Sequence, residues 1–391
     1  MTIAQQIVKV RNVLSGVRDS LYLTIGAAAQ LPTSYFFAMP HLAPLLMQSV
    51  FANYTSFSLR TWKGVLTHVL KPLMYQCPPE LIESVLGPLL MPLLGHLVSH
   101  LEREWARLDA AGMTASTLQE SRKQFDTYEE DFALNEKPST EDITEQIIEQ
   151  VMIVDATRSL ADLLHNLLLE PHTPKEKAAA ATAHAAYHST TTSGSNSNNT
   201  KVAPVEVDPF YKAFGPLRGA QLKVMLMTPV TAQAIFLSLS ACMAFKDSST
   251  CSRASVDLYK FLSVISEWEK GRPTQRNAAF SDQIAQFVGA NVLTQALLAL
   301  MEGYFSDCHS SIMVLITEIL LQWRTKSASV GETLAQRLGM SGSDLQMLND
   351  ALVSVQGDVK KERKIVSDVI GKAKGVRLFF FFLHFKKDAV D

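Results

Sequence analysis

The sequence predicts an all-α fold arranged as a helical-repeat solenoid. Three observations carry that expectation. Apolar residues recur every three or four positions through most of the chain. Strand signals are almost absent: no alternating run flanks an Asn-Gly or Asp-Gly turn, and "VAPVEV" near residue 202 is short and Pro-broken. Short breaks containing Pro or Gly ("MPHLAPLL", "QCPPEL", "MTPVTA", "GRPTQR") divide the chain into runs of helical length.

The first helix is marked by Ile3, Ile7, Val10, Leu14, Val17, Leu21 and Ile25, a single apolar stripe. Residues 20–59 then lack Asp, Glu, Lys and Arg. Pro32, Pro40 and Pro44 divide them, so no part between prolines reaches the ~20 apolar residues of a membrane span. Leu59, Trp62, Leu66, Val69 and Leu73 form a second stripe, widened by Val65 and Leu70. "MYQCPPELIESVLGPLLMPLLGHL" (74–97) follows, and Ser84 to Leu101 is uncharged. Pro88 and Pro92 interrupt it and His96 and His100 close it, so it reads as the turn and long inner helix of one repeat. Ser139, with Asp142 three residues on, suits the N-cap of a helix continued by Ile143, Ile147, Val151, Val154, Leu160, Leu164 and Leu167.

Residues 171–207 are poor in bulky apolar side chains and rich in Ala, Ser, Thr and Asn. Such a segment cannot offset its ordering entropy by burial, so it is expected to be a low-complexity, disordered insertion. Beyond it, Ile312, Leu315, Ile316, Ile319, Leu320 and Trp323 mark a further helix. Stripes this broad bury only against neighbouring helices, as in a solenoid. No sharp repeat consensus is visible, so a degenerate HEAT-like repeat fits better than ankyrin or TPR, with a compact bundle as the structural rival. The expected organisation is helical repeats over 1–170, the insertion at 171–207, further repeats over 208–375 and an atypical tail at 376–391.

Composition narrows the function classes. The 391 residues are 47% hydrophobic and 19% charged, enough for a sizeable core, and the net charge of -2 gives no global pull toward nucleic acid. Charge is uneven, however. Residues 101–170 carry 16 acids against 6 bases, and residues 356–391 carry 9 bases against 5 acids, among them "KKERK" at 360–364. A solvated helix face is the ordinary reading of that run; a phosphate-binding patch is the sharper one. Four separated cysteines without a C-x-x-C pair read as buried reduced thiols. The N-terminal residues lack the apolar core of a secretion signal.

Catalytic signatures are missing. "GMSGSD" (339–344) lacks the final glycine and the preceding strand of a nucleophile elbow, so it reads as a loop or cap. Adjacent Cys308 and His309 point ~100° apart on a helix, badly set for a relay. His96, His100 and Glu104 share a helix face and make a conceivable metal set, but a packed face is the simpler reading. No catalytic residue, cofactor or metal is expected, and an interaction scaffold is where the residues alone lead.

Short elements in a fixed order add to this. "LKPLMYQCPPELIESVLGPLLMPLLGHLVSHLEREW" holds Lys71 to Leu73, Cys77 to Glu80, Gly87 to Leu89 and then Trp105. A second block, "FLSLSACMAFKDSSTCSRASVDLYKFL", covers 236–262, and "ERKIVSDVIGKAKG" covers 362–375. An acidic helix and the low-complexity insertion lie between the first two blocks. Together they resemble the C-terminal region of the exportin-5 class of karyopherin-β nuclear export receptors.

That resemblance implies a HEAT-repeat superhelix without catalytic function. It implies shuttling between nucleus and cytoplasm, passage by way of nucleoporins, and binding of Ran-GTP together with structured RNA (pre-microRNA, tRNA) or phosphoprotein cargo. A basic face would serve all these cargoes. The candidate residues are Lys63, Lys71, Arg122, Lys123, Lys360, Lys361, Arg363 and Lys364. The resemblance also implies that the N-terminal repeats forming the main Ran-binding arch are missing from this chain. "GVRLFFFFLHFKKDAVD" departs from the family pattern and reads as a mispredicted exon or a buried terminal segment. A HEAT-like scaffold unrelated to transport is the alternative.

Overall fold

A computed structural model of the chain describes residues 3–31, 33–112, 123, 145–168, 208–271, 278–355 and 357–372. The described residues are helical with no strand among them, an all-α fold of the HEAT-like helical-repeat class. Ser139, the 171–207 segment and the 376–391 tail lie outside the described residues. Two compact units divide the chain, Met1–Ser238 and Leu239–Asp391.

In the first unit, α1 (Ile3–Ala29) packs on a helical rod made of Leu59–Val65, a π-turn at Leu66–Leu70, and Lys71–Gln76. Trp62, Val65, Val69, Leu70 and Leu73 of that rod are completely buried. The π-turn has a local cause. A π-turn bonds each N–H five residues back, as Lys71 does to the Leu66 carbonyl. Pro72 has no N–H to give the His68 carbonyl four residues before it. Gly26 of α1 packs against that carbonyl, and any Cβ there would collide with its oxygen and approach Pro72 Cγ at 3.2 Å.

A second rod runs without interruption from Pro79 to Ala110, through a π-turn at Ile82–Leu86 and then α2 (Gly87–Ala110). This is the long inner helix the sequence indicates, but the expectation that its prolines keep it short of a membrane-length stretch is corrected. Pro88 and Pro92 do not divide the stretch, because Pro88 occupies the first turn of α2 and Pro92 is carried inside it. By length and composition three helical stretches among the described residues could cross a membrane: Pro79–Ala110, Asp282–Met301 and Tyr304–Gln322. Protein contacts bury 56%, 56% and 44% of their most apolar windows. Leu89, Leu90, Leu93, Leu94, Leu97 and Leu101 of α2 are completely buried. The acidic helix α3 (Glu145–His165) packs on both rods. The indole N–H of Trp105 donates to Thr157 Oγ1 at 3.0 Å, and Lys63 Nζ pairs with Asp155 at 2.7 Å.

The first unit is completed from beyond the insertion. α4 (Pro209–Phe214) and α5 (Pro216–Met227) follow residue 207. Arg218 and Gln221 of α5 hold the end of the Lys71–Gln76 helix. Arg218 Nη1 donates to the Tyr75 carbonyl (3.2 Å) and to Gln221 Oε1 (2.6 Å), while its guanidinium lies 3.4 Å from the centre of the Tyr75 ring. Gln221 Nε2 donates to the carbonyls of Tyr75 (3.1 Å) and Cys77 (2.9 Å). The carbonyls that end a helix lack partners within it, so these contacts meet a real need. Burial pushes the Cys77 thiol up to about 12, and all four cysteines are buried free thiols.

α6 (Pro229–Ala244) spans the division between the units. In the second unit, α7 (Ser248–Gly271) packs against α9 (His309–Gln322). Between them, α8 (Ala278–Phe287) continues through a π-turn at Val288–Leu293 into Thr294–Met301. That turn receives α10 (Ala328–Leu338). The Ser329 hydroxyl donates to the Gln286 carbonyl at 3.1 Å and the Thr333 hydroxyl to the Gly289 carbonyl at 2.9 Å. A Cβ on Gly289 would lie 2.6 Å from Val330 N and 2.7 Å from Ser329 C, so the two helices touch only because this residue is glycine. α11 (Gly342–Ser354) and α12 (Val359–Lys372) follow. "GMSGSD" is a helix cap: Ser341 and Asp344 form a reciprocal capping box at the start of α11.

Candidate nucleic-acid interface

The "KKERK" run opens α12. Asp358 caps this helix by accepting from the Lys361 backbone N–H at 3.2 Å. Glu362, Val366 and Ile370, four residues apart, form its buried stripe, and α12 packs on α9 and α11. Glu362 is thus turned inward. Its Oε1 accepts from the N–H of Gly357 at 2.8 Å, and Gly357 has the φ of 94° that glycine tolerates. Lys360, Lys361, Arg363 and Lys364 are exposed. Turning in the acid leaves a solvent face that is cationic along this stretch. Lys361 also reaches back to Asp358 at 3.0 Å, and this hydrogen bond is the first cause holding the Asp358 carboxyl below its usual range.

The remaining candidate bases are differently placed. Lys63 is half exposed but is engaged by Asp155. Lys71 is partly buried at the end of the first π-turn. Lys123 is an exposed helical residue, and Arg122 lies outside the described residues. Among the described candidates, the four bases of α12 lie together on one helix. Arg218 escaped the sequence reading; its signal was a lone charge in the otherwise uncharged "FGPLRGAQL".

His96 and His100 belong to a ring cluster rather than a metal centre. Tyr54 meets the His96 ring edge-on at 5.4 Å, and the two imidazoles are 6.2 Å apart. Glu104 Oε1 is 3.8 Å from His100 Nε2, and Glu104 is also paired with Arg107. Among the described residues no three His, Cys, Asp or Glu groups converge to hold a metal ion.

Burial is the main cause holding His96, His100 and His309 below the ordinary 6.5. Below pH 6.5 the unfolded chain takes up these protons more readily than the fold, so their contribution to stability is present above that value and lost as pH falls toward the lowered values. Glu102 and Glu318, raised by burial from 4.5, act oppositely: their contribution is full at low pH and fades as pH rises through their raised values. Through the three histidines the melting temperature is expected to fall as pH drops from 7.5 to 5.5. A His100→Gln variant, scanned by differential fluorimetry, should show a shallower fall.

A family model for the Exportin-5 family matches residues 1–379. The chain belongs to the Exportin-5 family. It is 20% identical over 375 residues to Exportin-5 of Homo sapiens, covering 94% of this chain and 27% of that protein. It is 20% identical over 365 residues to Exportin-5 of Mus musculus, covering 91% and 26%. Against Exportin-5 of Dictyostelium discoideum it is 30% identical over 95 residues, 24% of this chain and 8% of the relative. The chain therefore spans about a quarter of the length of the human and mouse relatives. No solved structure matches it.

Proposed function

We propose that this chain is part of a nuclear export receptor that shuttles between nucleus and cytoplasm. It binds Ran-GTP together with a phosphate-rich cargo, either structured RNA or a phosphoprotein, and meets nucleoporins in transit. The observation that carries the receptor reading is the Exportin-5 family match across residues 1–379. The outward face of α12 supports the cargo chemistry. Four neighbouring cations, with the intervening acid buried, suit a phosphate backbone. The major groove of A-form RNA is too deep and narrow for side chains, so contact through phosphates reads shape and charge rather than sequence. The receptor breaks no covalent bond in this reading. The GTPase supplies direction through its nucleotide state.

The test is anisotropy of a labelled hairpin RNA titrated with the wild-type chain and with the K360E/K361E/R363E/K364E variant. All four side chains are exposed, so the variant should fold normally. Its affinity is expected to fall at least ~10-fold at low salt, and the dependence of log K on log salt should shallow by about one for each phosphate no longer neutralised. Unchanged affinity and slope would make the run a solvated face. Pull-downs with Ran loaded with GTP or GDP test the receptor reading separately. Equal binding to both, with no RNA binding, favours the non-transport scaffold.

A further inference from the structure

An open groove of about 650 Å³ lies in the second unit, where the end of α10 meets α11 and α12. Its lining is mainly apolar. Leu338 and Leu348 are buried, whereas Met340, Ile365 and Val369 are partly accessible and Met347 is 70% exposed. Thioether side chains repack readily, and methionines are over-used on surfaces that receive apolar partners. The sequence carries an apolar segment close by. α12 ends at Lys372, and five residues later "LFFFFLHF" (378–385) begins. Eight residues are too few to span a bilayer, and five aromatic or aliphatic side chains in a row are costly to leave in water.

We propose that residues 378–385 turn back and occupy this groove, so that the chain covers its own apolar surface. A partner that takes the groove must then displace the tail. Three observations favour this occupant. The first is reach. Ile365 lies ~10 Å back along α12 from Lys372 at 1.5 Å per residue. The five linking residues, "AKGVR", cover ~17 Å when extended, and Gly375 among them eases a reversal. The second is charge. The exposed acids Asp344 and Asp368 line the groove against one base, Arg337. Arg377 precedes the apolar run, and Lys386 and Lys387 follow it. Basic flanks around an apolar centre therefore meet an apolar groove of acidic character, where an acidic peptide would meet like charge. The third is the tether. A second copy offers the same tail, but a short covalent linker holds the chain's own tail at an effective concentration of order millimolar.

The proposal rests on neither the receptor reading nor RNA binding. The test is disulfide trapping in the full chain. The pair M347C/F381C places one thiol in the groove and one in the run. The pair V353C/F381C is the control, because Val353 is also exposed on α11 but does not line the groove. The four native cysteines are buried and do not compete. With glutathione disulfide as oxidant, M347C/F381C is expected to form an intramolecular bond at least ~10-fold faster than the control, read by peptide mass mapping. Adding F380S/F382S to the first pair should abolish that advantage while leaving the tether intact. Equal rates in the two pairs overturn the proposal, and so does an advantage that survives F380S/F382S. Disulfide-linked dimers as the main product would assign the groove to a second copy and overturn it. Flotation of the wild type with phosphatidylserine vesicles, lost in F380S/F382S, would assign the run to a bilayer and overturn it as well.

Discussion

Replacing Arg218 by alanine will destabilise the first unit by about 2–5 kcal/mol, the range for a large buried side chain cut to alanine, through the cavity left behind and the lost hydrogen bonds of a charged donor. The side chain is 1% exposed, yet it carries a full charge among apolar helices. It is tolerated because its donors meet the carbonyl end of the Lys71–Gln76 helix, where the partial charge is negative, and because the flat guanidinium stacks on Tyr75. Alanine would leave a cavity and strip the Tyr75 carbonyl of one donor. Arg218→Met keeps much of the volume and loses only the polar contacts, so it should cost less, about 1–3 kcal/mol. Chemical denaturation of both variants, followed by Trp62 and Trp105 fluorescence after replacement of the other tryptophans, measures this. Equal and small losses would show that the cluster is incidental. A large loss confined to alanine would mean that volume, not polarity, is what Arg218 contributes.

The second large effect is expected at Gly289, and there the sign decides. In an ordinary helix interior, glycine to alanine is favourable by about 0.8–1 kcal/mol. Gly289→Ala should instead destabilise the second unit by about 1–3 kcal/mol or more, because the new Cβ meets the backbone of Ser329 and Val330, which cannot rotate away. The helices would have to separate, stretching the hydroxyl bonds from Ser329 and Thr333. Gly95→Ala is the control: it lies inside α2 with nothing within 4 Å of its Cβ, and it should be stabilising. Thermal unfolding of the two variants should move in opposite directions. A stabilising Gly289→Ala would sink the close-contact account.

Much of this fold was legible because helical periodicity is a local property. The stripes at Leu59–Leu73 and Ile312–Trp323 are core stripes, as their spacing indicates. Periodicity says that a helix has an apolar face, however, not what covers it. Val10, Leu14, Val17 and Leu21 of the α1 stripe are exposed, while the helix docks through Arg18, Tyr22 and Gly26. Pairings over long separations were equally hidden. Lys63 looked like an available base until Asp155, 92 residues away, was placed beside it. In "KKERK", by contrast, Glu362 shares a register with Val366 and Ile370, so its inward turn could have been read from the wheel. Prolines were weighed as helix breakers, whereas Pro72 and Pro88 each sit just after a π-turn that keeps its rod continuous.

Those π-turns have a consequence for how the chain tolerates changes in length. Each holds one residue more than an α-helical path over the same distance would need. A one-residue deletion elsewhere in a buried helix swings everything downstream by ~100° and brings the wrong side chains to the core. A deletion within Leu66–Leu70, Ile82–Leu86 or Val288–Leu293 can be absorbed on the spot by relaxing the turn to α. Alignment gaps between this chain and distant relatives should therefore fall at these three places inside helices, rather than in the loops where gaps ordinarily collect.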